Sequence, residues 1–90
     1  MRVARRYLVS GRVQGVGFRY FAQDAAQREG LTGFVRNLDD GRVEAIAEGE
    51  AEAMERFEMA LHRGPSQARV SDVEHESLVP SGRYHGFMVG

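Results

Sequence analysis

Arg19 stands behind a run of glycines in a chain with little other chemical equipment. The stretch 11-GRVQGVGFRYFAQDAAQ-27 places Gly11, Gly15 and Gly17 between an alternating apolar run and a helical pattern. A glycine-rich turn from strand to helix aims free backbone N–H groups at one spot. It also adds the positive end of the helix dipole, so it suits an anion. Arg19 falls in the first turn of that helix, where a cation opposes the dipole. An anion between amides and guanidinium would remove the conflict, and Arg is suited to bidentate phosphate contact. Two readings stand on these residues alone. Either the glycines only turn the chain and Arg19 is solvated, or the bare backbone and Arg19 together hold an anion.

Asn37 is the second candidate. It sits near the end of a strand, just before Asp39-Asp40-Gly41. Asn in such a place is common turn chemistry. The alternative is that its amide binds or orients a polar partner beside the sheet.

Other chemistries find no anchor. A dinucleotide fingerprint would need glycine at position 20, which is Tyr20. A Walker loop needs lysine, and all twelve basic residues are Arg. The chain has no cysteine, which excludes disulfides, thiolate metal sites and thiol nucleophiles. His62, His75 and His85 are scattered without zinc-site spacing, so no metal is expected. Ser10 and Ser66 lack a G-x-S-x-G context.

The elements that must position Arg19 and Asn37 are readable from periodicity. Residues 3–13 alternate as a strand, with Tyr7, Val9 and Val13 on one face. From Phe18 the period changes: Phe18, Phe21, Ala22, Ala25 and Ala26 share one helical face, and Gly30 stops the helix. Residues 31–49 read as a hairpin around Asp39-Asp40-Gly41. In it Val35 and Asn37 share a face, as do Val43, Ala45 and Ala47, with Glu44 and Glu48 opposite. A second helix spans 51–63, with Ala53, Met54, Phe57, Ala60 and Leu61 as its apolar stripe. Glutamates 48, 50, 52, 55 and 58 read as a solvated face around it. Residues 69–79 and the closing YHGFMV read as strands separated by a Pro80-Ser81-Gly82 turn. Two helices cover only one face of a sheet. The order therefore predicts an α+β, ferredoxin-like sandwich (βαββαβ), an antiparallel sheet with both helices on one face.

Composition bounds the rest. Ninety residues make one domain, expected over 1–90, that buries roughly 60–70% of its unfolded surface. The start lacks the apolar core of a secretion signal, and no apolar run approaches the ~20 residues that span a membrane. A cytoplasmic protein is the expectation, with no membrane partner. Net charge is −1, but residues 1–45 carry eight Arg against five acids and residues 46–90 four Arg against eight. The basic first half suits a small anion and is too weak for nucleic acid. RNA-recognition domains share the element order but stack bases on aromatics of the third strand. Here that strand is RVEAIAEGE, with no aromatic and three glutamates.

VSGRVQGVGFR resembles the signature loop of the acylphosphatases, and GFVRN with the following DDG resembles their second motif. The likeness runs through GRVEAIAEGE, the second helix and PSQARV, and loosens after about residue 70. It implies hydrolysis of acyl phosphates to a carboxylate and inorganic phosphate, with no cofactor, no metal and no covalent phosphoenzyme. It implies that Arg19 binds the phosphoryl group with the backbone amides of Gln14, Gly15, Val16, Gly17 and Phe18, and that Asn37 holds the attacking water. Such chemistry fits the sparse equipment. A carboxylate with a pKa around 4 leaves without a general acid, so positioning and charge suffice. The partners implied are an acyl phosphate and inorganic phosphate. A monomer is expected, since no long apolar surface run demands a second copy. A non-catalytic anion-binding module on the same scaffold is the alternative.

Overall fold

Alternation in the first segment becomes strand β1, Arg2–Arg12, with Tyr7 and Val9 turned fully into the core. The computed structural model describes all of Met1–Gly90. Helix α1, Phe18–Arg28, follows the glycine loop and buries Phe18, Ala22, Ala25 and Ala26. It ends as the sequence predicts. Gly30 takes φ 70°, its amide donates to the Gln27 carbonyl at 3.1 Å, and the Leu31 amide donates to Ala26 at 2.9 Å. This pair of bonds satisfies the last carbonyls of the helix and folds Leu31 into the core.

Strands β2, Thr32–Asn37, and β3, Val43–Glu50, form the expected hairpin. Helix α2, Ala51–Arg63, buries its whole predicted stripe of Ala53, Met54, Phe57, Ala60 and Leu61. Strands β4, Arg69–Leu78, and β5, Phe87–Val89, complete a five-stranded sheet in the order β4-β1-β3-β2-β5. The fold is the ferredoxin-like α+β sandwich. Tyr7, Val9, Val35, Val43, Ala45 and Ala47 meet the helices in one core, where Phe57 packs edge-on against both Tyr7 (5.8 Å) and Phe87 (5.9 Å).

The antiparallel pattern holds for β1 to β4, whereas β5 runs parallel to β2. After Leu78 the chain crosses the sheet face that carries no helix and returns along the far edge. Tyr84 reaches Phe34 there at 6.0 Å. That crossing corrects the reading of Glu48 as part of a solvated face. Glu48 is 3% exposed and receives the Ser81 hydroxyl (2.7 Å) and the amides of Ser81 (3.0 Å) and Gly82 (2.9 Å). Glu44 is equally buried, between Arg6 (2.5 Å) and Arg36 (2.6 Å).

Desolvation pushes both carboxyls up, but these donors outweigh it and hold both below the ordinary value of 4.5. A depressed folded-state pKa stabilises above the unfolded value, and the contribution disappears as pH falls through the folded one. The melting temperature is therefore expected to drop on acidification below about pH 4.5, and Glu44→Gln is expected to flatten that drop. At neutral pH the same variant should lose about 1–2 kcal/mol, since its Arg partners stay partly solvated. Thermal melts from pH 7 to pH 3 check both. An acid limb as steep in the variant as in the parent would show that Glu44 contributes nothing to it.

The register brings the two candidate residues to one edge. Val43, at the start of β3, pairs with Val9 of β1 on one side and with Asn37 of β2 on the other. The end of β1 and the end of β2 thus lie at the same rim of the sheet, and the glycine loop hangs beside Asn37.

Candidate active site

The loop between β1 and α1 is built on two left-handed glycines, Gly15 at φ 74° and Gly17 at φ 77°. A side chain at either position would meet nothing within 4 Å. The glycines are needed for backbone conformation and not for space, and a Cβ in this region costs roughly 1–2 kcal/mol. Gly15→Ala and Gly17→Ala are each expected to lose about that much in urea melts. Parent-like stability in both would mean the loop relaxes freely, contradicting a preset shape.

Gly17 caps α1 without a side-chain hydrogen bond, and no acid stands in the first turn. The first helical amide with a turn partner is Phe21, which donates to the Gly17 carbonyl at 3.0 Å. The amides just ahead of it belong to the orphan set at a helix start. The residues that carry them, Phe18, Arg19 and Tyr20, line a cleft of about 140 Å³ together with Val13, Gly15, Gly17 and Asn37. Uncapped amides, the helix dipole and a guanidinium in one hollow favour an anion.

Arg19 is held from behind. Its Nη1 donates to the carbonyl of Gly90 at 2.5 Å, and the Gly90 amide donates to Val35 at 2.8 Å. One helical turn on, Gln23 Nε2 donates to the Phe87 carbonyl at 2.9 Å. Strand β5 therefore aligns α1 and one edge of the guanidinium, whose five donors leave others for the cleft. Asn37 is exposed at the end of β2 and lines the same cleft.

The loop's predicted role belongs to its backbone, and the side chains of Gln14 and Val16 point elsewhere. Gly15, Gly17, Phe18, Arg19 and Asn37 line the cleft. Val16 packs against the core instead. The Gln14 side chain turns to the β2–β3 hairpin, where Nε2 donates to the carbonyls of Leu38 (2.8 Å) and Arg42 (3.0 Å). Val13 and Tyr20 line the cleft and were not singled out by sequence. Val13 reads as a core residue and is one, at 1% exposure. Tyr20 carries no signal beyond standing next to Arg19. Of the histidines, His62 and His75 each sit 4.0 Å from Glu58, and neither lines this cleft. A second hollow, of about 160 Å³, lies against β1 and β4 between Arg6, Leu8, Glu74, His75 and Glu76. Its two glutamates oppose an anion, so the loop cleft suits one better.

The chain resembles known proteins along nearly its whole length. A family model described as Acylphosphatase matches residues 5–89. The chain is 51% identical over 88 residues to an acylphosphatase of Pseudomonas paraeruginosa, covering 98% of this chain and 96% of that one. Among solved structures, an acylphosphatase from Bacillus subtilis superposes with a TM-score of 0.94 at 41% identity, covering 98% of each chain. One from Coxiella burnetii gives 0.94 at 39% identity, over 99% of this chain and 93% of that one.

Proposed function

The chain belongs to the acylphosphatase family, whose members hydrolyse acyl phosphates, and on that premise we propose how its own residues do so. The phosphoryl group sits at the start of α1. The amides of the loop from Gln14 to Phe18 and the Arg19 guanidinium take its non-bridging oxygens. The Asn37 amide holds a water molecule against phosphorus, in line with the leaving oxygen. The observation that carries this reading is the convergence of Gly15, Gly17, Arg19 and Asn37 on one cleft at an uncapped helix start.

The reaction balances without a proton donor from the protein. A bond forms between the water oxygen and phosphorus as the bond from phosphorus to the acyl oxygen breaks. The electron pair leaves on the carboxylate, and the water's proton goes to an oxygen of the departing phosphate. An acyl phosphate dianion and water become a carboxylate and dihydrogen phosphate. A carboxylate is a good leaving group, so no general acid is required. Gathering charge and fixing water are what the cleft offers, and these dominate phosphoryl transfer. Nothing in the scheme calls on a metal, since amides and guanidinium carry the positive charge.

We also propose that residues 1–90 act as one domain and as a monomer in the cytoplasm. The family model spans nearly all of them. The exposed large apolar side chains are Met1, Tyr20, Met59, Leu78, Val79 and Met88. No helix is long and apolar enough to cross a membrane.

Steady hydrolysis of benzoyl phosphate in the presence of EDTA tests the proposal. Turnover above the uncatalysed rate supports it. Saturable phosphate binding without turnover would mean an anion-binding module instead.

A further inference from the structure

The amide nitrogen of Gln14 has two hydrogens and both are engaged. One goes to the Leu38 carbonyl at 2.8 Å and the other to the Arg42 carbonyl at 3.0 Å. These two carbonyls also close the β2–β3 turn. Leu38 accepts from the Gly41 amide at 3.2 Å, and Arg42 accepts from the Leu38 amide at 2.8 Å. The turn is ordered further by Asp40, which receives the Arg42 amide (3.0 Å) and its Nε (2.8 Å). Gln14 therefore plugs into the neck of a rigid turn and bridges both of its strands. Its own backbone adjoins Gly15, and Leu38 adjoins Asn37. One side chain thus links the residue before the anion cleft's first glycine to the residue after Asn37.

We propose that Gln14 is a positioning residue that sets the gap between the amide cradle and the water-holding Asn37. The inference rests on the reading of the cleft given above. It assigns the Gln14 side chain a task separate from its backbone amide. The link matters because the cradle and Asn37 sit on different segments of chain. Sheet register joins them through Val9, Val43 and Asn37, and Gly90 ties Arg19 to Val35 of β2, but neither link reaches the residue before Gly15. A misplacement near 1 Å can cost about 10²-fold in rate. A bridge across the gap guards against that shift without touching substrate.

The chemistry of the bridge gives it a distinctive test. Gln14→Glu keeps the shape but brings a carboxylate to two carbonyl oxygens and removes both donors. At pH 7 its kcat on benzoyl phosphate should fall about 10- to 100-fold. The inhibition constant for inorganic phosphate should stay within about threefold, because the cradle is intact. On acidification the carboxyl regains one O–H donor. The kcat ratio of variant to parent should then recover at least about fivefold between pH 7 and pH 4.5. Gln14→Met, of similar length and without donors, should show the loss without the recovery. In an Asn37→Ala background, Gln14→Glu should add little further loss, since the water's partner is already gone.

Parent-like kcat in Gln14→Glu overturns the inference. So does a phosphate inhibition constant that rises as much as kcat falls, or a loss that multiplies fully with that of Asn37→Ala. If the reading of the cleft is what fails, the sign is separate: Asn37→Ala by itself would turn over like the parent.

Discussion

Asn37→Ala is expected to lose about 100- to 1000-fold in kcat while binding phosphate as the parent does. That range is typical for removing one preorganised polar group from a transition-state cradle. The split follows from where Asn37 stands. It occupies the cleft wall at the end of β2, and the amides and Arg19 belong to the loop and α1. In the proposed mechanism, deleting its amide leaves the anion's partners in place and takes away only the water's. The side chain is exposed, so its loss should not unsettle the fold. Steady-state rates on benzoyl phosphate, with phosphate as competitive inhibitor, measure both quantities. A variant with parent-like kcat would remove Asn37 from the mechanism. A phosphate inhibition constant raised in step with the kcat loss would make it an anion ligand instead.

Arg19→Ala should behave differently, with both quantities falling together. On the proposed reading, its charge-assisted hydrogen bonds to the phosphoryl oxygens form in the bound state and strengthen as charge moves in the transition state. Loss of at least about tenfold in phosphate affinity is expected. The drop in kcat/KM should be about 10³-fold or more, the scale on which an arginine assists phosphoryl transfer. Arg19→Lys should recover little. A point charge lacks the planar fork that can serve Gly90 and an anion at once. Phosphate inhibition unchanged in Arg19→Ala would contradict the clamp. Full rescue by lysine would show that charge alone, without geometry, is what the site uses.

The contrast between these variants explains an oddity of the sequence. A cation in the first turn of a helix opposes the dipole, and α1 has no acid there to compensate. The carbonyl of Gly90 relieves part of that conflict by accepting from the guanidinium. On the proposed reading, the rest is relieved when an anion enters between Arg19 and the loop amides.

What the sequence made legible is what short-range physics controls. The apolar stripes of α1 and α2, the stop at Gly30 and the hairpin around Asp39-Asp40-Gly41 depend on neighbours within a few residues, and all stand as expected. The glycine loop was legible for the same reason, though its residues left turn and anion site open. The resemblance to a family gave Asn37 its role, and the structure adds that Asn37 shares a cleft with Arg19.

The illegible parts are long-range. Glu44 and Glu48 alternate away from the core face on β3, and Glu48 read as solvated. Arg6 and Arg36 from flanking strands bury one, and a segment more than thirty residues on covers the other. No local pattern announces that crossing. The grip of Gly90 on Arg19 joins residues 71 apart in sequence. Gln14 reads as one more loop residue, and its two bonds to the turn appear only once β1 and β2 flank β3. In each case the partner is chosen by sheet order, which periodicity does not encode.

The location of the anion is the claim on which the whole account turns. Backbone amide NMR shifts during titration with inorganic phosphate test it most directly in a 90-residue chain. The account predicts saturable shifts centred on Gly15 to Arg19, with a dissociation constant matching phosphate inhibition of turnover. The same shifts should persist in Asn37→Ala and weaken in Arg19→Ala. Shifts centred instead on Arg6, Leu8 and Glu74, or none in the loop at saturating phosphate, would contradict it.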